Sequence, residues 1–196
     1  VPRRAGKVHV RDVHGHEDVF DRVIMAAHTD QTLAMLGDAT PEERNILGAI
    51  RYRPNAVYLH RDRALMPRRR RVWASWNYLA SSDSDAPFRD ASVTYWMNRL
   101  QNLPEDKPVF VGLNPVEPPH PDLTFATFEY DHPQFDGAAI SAQNALGQIQ
   151  GSGNTWYCGA WCGYGFHEDG LKAGLAAAQA IGAEIPWRID AEGTAR

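Results

Sequence analysis

Asn154–Gly182, NTWYCGAWCGYGFHEDGLKAGLAAAQAIG, is the stretch that decides the fold. Thr155-Trp156-Tyr157-Cys158 is a short apolar run and reads as a buried strand. Glycines at 159, 163 and 165 mark a loop, and from Glu168 the pattern turns helical and closes at Gly182, where a C′ glycine belongs. A strand, a glycine loop and a helix in that order aim free backbone N–H groups and the positive end of a helix dipole at one point. An electron-rich or anionic ligand atom suits that point. Gly170, Ala173, Gly174, Ala177 and Ala178 fall at helical spacing and make one face of small side chains. Interior glycine costs about 1 kcal/mol against alanine, so this face predicts close approach of another backbone or of a flat ligand. Ordinary helix-on-sheet packing accounts for it equally well.

Gly165 to Gly174, GFHEDGLKAG, resembles the last flavin-binding segment of the flavin-containing amine oxidase family. Pro54–Tyr78 (PNAVYLHRDRALMPRRRRVWASWNY), Val93–Pro104 (VTYWMNRLQNLP), Leu113-Asn114-Pro115 and Gly163–Leu171 (GYGFHEDGL) are similar to a bacterial branch of amine-oxidase-like, NAD/FAD-binding proteins. The resemblance runs from about Val19 to Trp187. It implies a mixed α/β fold in which part of a Rossmann-like FAD domain is joined to a mostly antiparallel β substrate domain. It also implies FAD as cofactor, with Gly159, Ala160, Gly165, Phe166, His167, Glu168, Gly170 and Leu171 around it, and backbone amides near 166–168 facing the pyrimidine end of the flavin ring. Phe166 stands where amine oxidases carry a tyrosine over the ring; with Trp161 and Tyr164 it forms a candidate substrate surface. After the strand glycine the family usually has an acid that bonds the cofactor, whereas this chain has Gly159-Ala160. No catalytic side chain is assigned.

The family begins with a strand and a G-x-G-x-x-G turn for the pyrophosphate, and this sequence contains none. The expectation is a C-terminal portion whose partner is the missing N-terminal half of the same polypeptide. Residues 1–50 would belong to the FAD domain with connecting helices, 51–135 to the substrate domain, 136–187 to the returning FAD strand and helix, and 188–196 to a tail.

Composition fits this frame. Of the 196 residues, 43% are hydrophobic and six are tryptophan, enough for a core, and a net charge of −4 argues against a nucleic-acid partner. No apolar run reaches the roughly 18 residues of a membrane span. Cys158 and Cys162 make a single CxxxC, short of a zinc site, and read as reduced thiols in a cytoplasmic protein; no metal is expected.

Local signals place the remaining elements. Lys7–Arg11 alternates as a strand, and Phe20–Ala27 reads as a strand buried on both faces. Thr29 or Asp30 caps a short helix to Leu36, and Thr40-Pro41-Glu42-Glu43 is a capping box with proline at N1. Strands are expected at 56–60, 72–79, 93–100, 109–113 and 123–130, a polar loop at 81–90, and a helix capped by Asp136 running to about Gln150. Arg61, Arg63 and Arg68–Arg71 form the one basic run, read as a solvated hairpin or as a site for an anionic head group, including peripheral contact with lipid. Trp73, Trp76, Tyr95 and Trp96 are either core or the wall of an apolar tunnel.

The function implied is FAD-dependent oxidation or desaturation of a small-molecule or lipid substrate, a fatty-acyl chain among them. The alternatives are a non-catalytic fragment and an apolar-ligand binding module.

Overall fold

The structure is a computed structural model and describes residues 1–79, 92–185 and 187. The expected loop at 81–90 and the tail beyond Trp187 lie outside the described residues. The fold is mixed α/β. In chain order the principal elements are β1 (Arg3–Arg4), β2 (Lys7–Arg11), β3 (Glu17–Phe20), β4 (Val23–Met25), α1 (Thr29–Met35), α2 (Pro41–Gly48), β5 (Tyr52–His60), β6 (Trp76–Leu79), β7 (Ser92–Trp96), α3 (Met97–Leu100), β8 (Phe110–Leu113), β9 (Thr124–Pro133), α4 (Gly137–Ala145), β10 (Thr155–Tyr157) and α5 (His167–Ala180). They divide into two compact units, one made of Val1–Tyr52 with Pro133–Arg196, the other of Arg53–His132.

In the first unit β1, β2 and β3 form an antiparallel meander, and β10 pairs in parallel with β4, Trp156 opposite Ile24. The other edge of β10 is sealed by one side chain: Gln150 Nε2 donates to the Tyr157 carbonyl at 2.7 Å, and Gln150 Oε1 accepts from the Tyr157 amide at 2.8 Å. An amide side chain thus stands in for a neighbouring strand and satisfies both backbone groups of Tyr157. The core gathers Met25, Leu36, Ile46, Leu47, Ile149 and Tyr157 with their neighbours. The capping box at Thr40 forms as the sequence indicates, with Thr40 Oγ1 accepting from Glu43 N at 3.2 Å and Glu43 Oε2 accepting from Thr40 N at 2.8 Å.

Glu43 does more than cap. Its side chain is fully buried, accepts from the Tyr157 hydroxyl at 2.6 Å, and is gripped by the Arg3 guanidinium through both oxygens, Nη2–Oε2 being 2.8 Å. Burial alone would raise the Glu43 carboxyl, but Arg3, the Tyr157 hydroxyl and the Thr40 amide outweigh it and hold it at about 2. The Tyr157 hydroxyl moves the other way, pushed up by burial and by the carboxylate it donates to.

The second unit is a five-stranded sheet in the order β6-β7-β8-β5-β9, with β6-β7-β8-β5 antiparallel. Its register separates the tryptophans. Trp96 pairs with Phe110 on the buried face and packs with Trp73 and Met66. Trp76 pairs with Tyr95 on the opposite face and is exposed.

Several boundaries differ from expectation. The run Phe20–Ala27 divides between the end of β3 and the three-residue β4. Helix α1 is capped from His28, with no side-chain hydrogen bond, rather than from Thr29 or Asp30. Arg70–Val72 is a 3-10 turn preceding the strand that begins at Trp76. The segment 93–100 is strand only to Trp96 and then turns into α3, because Asn98, buried, donates to Pro104 and Lys107 carbonyls at 2.6 and 2.8 Å and accepts from Val109 N at 2.8 Å. That side chain ties a loop, and strand periodicity carries no trace of it.

Candidate functional site: the mouth of the last helix

β10 delivers the chain to Cys158, whose amide donates to the Met25 carbonyl at 3.0 Å, one step past the parallel ladder. The loop then folds on itself. Cys162 N donates to Gly159 O, and both Gly163 N and Gly165 N donate to Ala160 O, each at 3.1 Å. From α4, Gln143 Nε2 donates to the carbonyls of Trp161 at 2.8 Å and Gly163 at 2.7 Å. Trp161 is 3% exposed, and its Nε1 donates to Ala27 O at 3.1 Å. Gly159 has φ +154, and a Cβ there would stand 2.6 Å from Trp161 Nε1. Gly159, Ala160 and Trp161 therefore form a packed floor.

Above the floor the helix opens. The N-cap is Phe166, a residue with no side-chain acceptor. Asp169 supplies the missing group from the first turn: its Oδ2 accepts from Tyr164 N and Phe166 N, both at 3.0 Å. This is half of a capping box. Gly163 makes room for it, since a Cβ at 163 would lie 2.5 Å from Asp169 Cγ. The amides of His167 and Glu168, at the first two helical positions, precede the first intrahelical bond; the chain's next amides, Asp169 and Gly170, donate to Phe166 O at 3.0 and 3.2 Å. Beside these two N–H groups, Tyr164 is 71% exposed and Phe166 54%. The mouth thus offers two helix-end donors and two exposed aromatic rings together. Glu168, exposed, pairs with Lys172 one turn on at 3.7 Å.

The two thiols are free and set into the structure rather than poised for reaction: burial pushes Cys158 up and Cys162 up to about 12.

The small face of α5 is occupied unequally. At Gly170 a Cβ would sit 3.6 Å from Ala160 N, ordinary contact, while at Gly174 it would meet none of the described residues within 4 Å. No backbone among the described residues therefore comes close to Gly174. Gly174→Ala is expected to stabilise the chain by about 0.5–1 kcal/mol, because it removes unfolded-state freedom without a clash; the midpoint of denaturant unfolding measures this, and a destabilised variant would show that something covers that face.

Sequence reasoning did not find Asp169 or Gln143 as organisers of the loop. Asp169, three residues after the N-cap, carried a local signal; Gln143, from another helix, carried none. Nor did it find a depression of about 760 Å³ in the second unit, lined by Tyr58, Asp62, Pro119, His120, Thr124 and Phe125 among others. Asp62 fixes its rim, Oδ2 accepting from His120 N at 3.0 Å. Among the described residues no cluster of three or more His, Cys, Asp or Glu side chains is placed to hold a metal, and no helix is long and apolar enough to cross a membrane.

No established protein family matches the chain by sequence, and no curated protein does. Solved structures do match its fold. A CLA-producing fatty acid isomerase from P. acnes is 15% identical, with a TM-score of 0.60, over 93% of this chain and 46% of that one. Reduced UDP-galactopyranose mutase is 14% identical, with a TM-score of 0.57, over the same shares. The chain thus spans about half the length of the structures it matches. At these identities the likeness is one of fold: a mixed α/β architecture shared with part of larger enzymes.

Proposed function

We propose that the chain is the C-terminal portion of an FAD-dependent oxidoreductase of the amine oxidase superfamily, acting on a lipid or fatty-acyl substrate. In this reading 1–50 and 136–187 serve the FAD domain and 51–135 the substrate domain. The observation that carries it is the open mouth of α5, where the His167 and Glu168 amides stand beside exposed Tyr164 and Phe166. The fold likeness to a fatty acid isomerase and to a mutase named in its reduced state supports it.

The residues present fit a flavin at that mouth. When bound, FAD would supply a ring that accepts a hydride equivalent. The chain's own share is electrostatic and steric. The two amides and the helix dipole favour electron density at the ring's polar edge, and they do so in fixed positions because Asp169 and Gln143 hold the loop. The carboxylate of Asp169 is engaged by two amides and that of Glu168 by Lys172, which limits the repulsion they would impose on an electron-rich neighbour. Phe166 and Tyr164 offer apolar surface to the substrate. Gly159, Ala160, Gly165, Gly170 and Leu171 shape the floor and the flank.

Addition of FAD to the 196-residue chain is expected to quench flavin fluorescence saturably. His167→Pro removes one amide donor at the first helical position, where proline is tolerated, and Phe166 already has the extended backbone (φ −82, ψ 156) that a following proline requires. This variant is expected to weaken FAD about tenfold with unchanged melting. A folded chain that binds FAD equally well with and without the His167→Pro change would sink the reading, and a chain that leaves flavin fluorescence untouched would favour the non-catalytic fragment or the apolar-ligand binding module.

A further inference from the structure

We propose that the arginine-rich turn of the second unit, with the aliphatic side chains beside it, docks on an anionic lipid surface. Between residues 61 and 71 the chain places six arginines against one acid, Asp62, in a protein whose net charge is −4. The local positive charge is therefore a feature of this segment and not of the composition.

Arg70 anchors the turn. Its guanidinium lies 4.7 Å from the Trp73 ring centroid and 5.1 Å from that of Trp96, and it pairs with Glu105 at 2.7 Å. Through that pair, and through Arg99 Nη1 donating to Trp73 O at 3.4 Å, the segment after β7 is drawn alongside the turn. Arg68, Arg69 and Arg71 are left exposed, as is Arg99. Of the carboxylates on the adjoining segment, Glu105 is engaged by Arg70, and Asp106 is exposed beside Lys107. Interleaved with the cations are exposed aliphatic groups: Val72 at 59%, Leu100 at 44% and Leu103 at 36%.

Cations alone would suit any polyanion. Aliphatic side chains gain nothing from a nucleic-acid backbone, but they gain on entering the boundary between head groups and acyl chains, where a basic and apolar surface is held by both terms. Exposed cations and exposed aliphatic groups adjacent along two segments that the Arg70–Glu105 and Arg99–Trp73 contacts hold together therefore point to lipid. Arg70 is fixed by its stacking, so Arg68, Arg69 and Arg71 are the free contributors, each worth about fivefold in partition at an anionic surface. This inference stands on the second unit alone and does not depend on flavin.

Co-sedimentation of the full chain with phosphatidylcholine vesicles, with or without about one third phosphatidylglycerol, tests it. Binding is expected only with the anionic vesicles, and raised salt should release it, because exposed charges are screened within a Debye length of about 10 Å at 0.1 M. Arg68→Gln/Arg69→Gln/Arg71→Gln is expected to weaken it about a hundredfold. Val72→Asp/Leu100→Asp should weaken it several-fold. Equal binding to both vesicles, binding indifferent to salt, or a triple variant that sediments like wild type would each overturn the proposal. So would tighter binding of single-stranded RNA than of vesicles, which would make the surface a nucleic-acid site.

Discussion

Glu43→Ala is expected to destabilise the protein by about 3–5 kcal/mol, because it removes one partner from a buried charged network and leaves the others unpaired. Arg3 would lose both oxygens, the Tyr157 hydroxyl would lose its 2.6 Å acceptor, and Thr40 its reciprocal cap. Glu43→Gln keeps the volume and one acceptor and should cost less. Tyr157→Phe combined with Glu43→Ala should cost less than the two changes summed, since the phenylalanine leaves no orphaned hydroxyl. Acid should act in the same direction. A carboxyl held at about 2 in the folded chain, below its ordinary value of 4.5, contributes stability that is complete above the ordinary value and is lost as pH falls through the folded one. Denaturant midpoints between pH 6 and pH 2 should therefore decline for the wild type and flatten for Glu43→Ala across that window. A variant with an unchanged midpoint at pH 7 would refute the account.

The second large effect is expected at Gly163. Alanine there would set its methyl against the Asp169 carboxylate at 2.5 Å, displacing the group that accepts from Tyr164 N and Phe166 N. Overpacking of this kind costs about 1–3 kcal/mol, and loss of hydrogen bonds to a charged acceptor adds to it. About 3 kcal/mol is the expected total, read from denaturant unfolding. In an Asp169→Ala background the same change should cost less, because the carboxylate it collides with is gone. Additive effects of the two substitutions would show that the collision is not the cause.

Where a signal was local, the sequence could be read closely. Thr40-Pro41-Glu42-Glu43 gave the start of α2, Asp136 the start of α4 with its Oδ1 accepting from Ala139 N at 2.9 Å, and Gly182 the end of α5 with φ +95. The run Thr155-Trp156-Tyr157 gave β10, and the mixed α/β class came from the resemblance carried by segments such as Gly163–Leu171. What escaped was set by partners distant in sequence. Nothing near Asn98 announces that it will bind three backbone groups and end β7, and nothing near Thr155 names β4 as its parallel neighbour. At the helix mouth the glycines were legible, but the reason for Gly163 was not: it depends on where Asp169 comes to rest. Trp73 lies before β6, at the end of the 3-10 turn, and joins the core through Trp96 and Phe110, while Trp76 opens β6 on the exposed face; a strand read from 72 to 79 does not show that break.

The first unit is written at both ends of the described chain, with Arg53–His132 between its halves. During synthesis the five-stranded sheet can close on itself while β4 still waits for β10. The parallel β4–β10 ladder, the Arg3–Glu43–Tyr157 network and the floor beneath the mouth are then the last parts to assemble. Their slow step is closure of a long loop, whose entropic cost rises only logarithmically with length. Ribosome-stalled chains ending before Thr155 should therefore hold an ordered middle segment between flanks that remain open to protease.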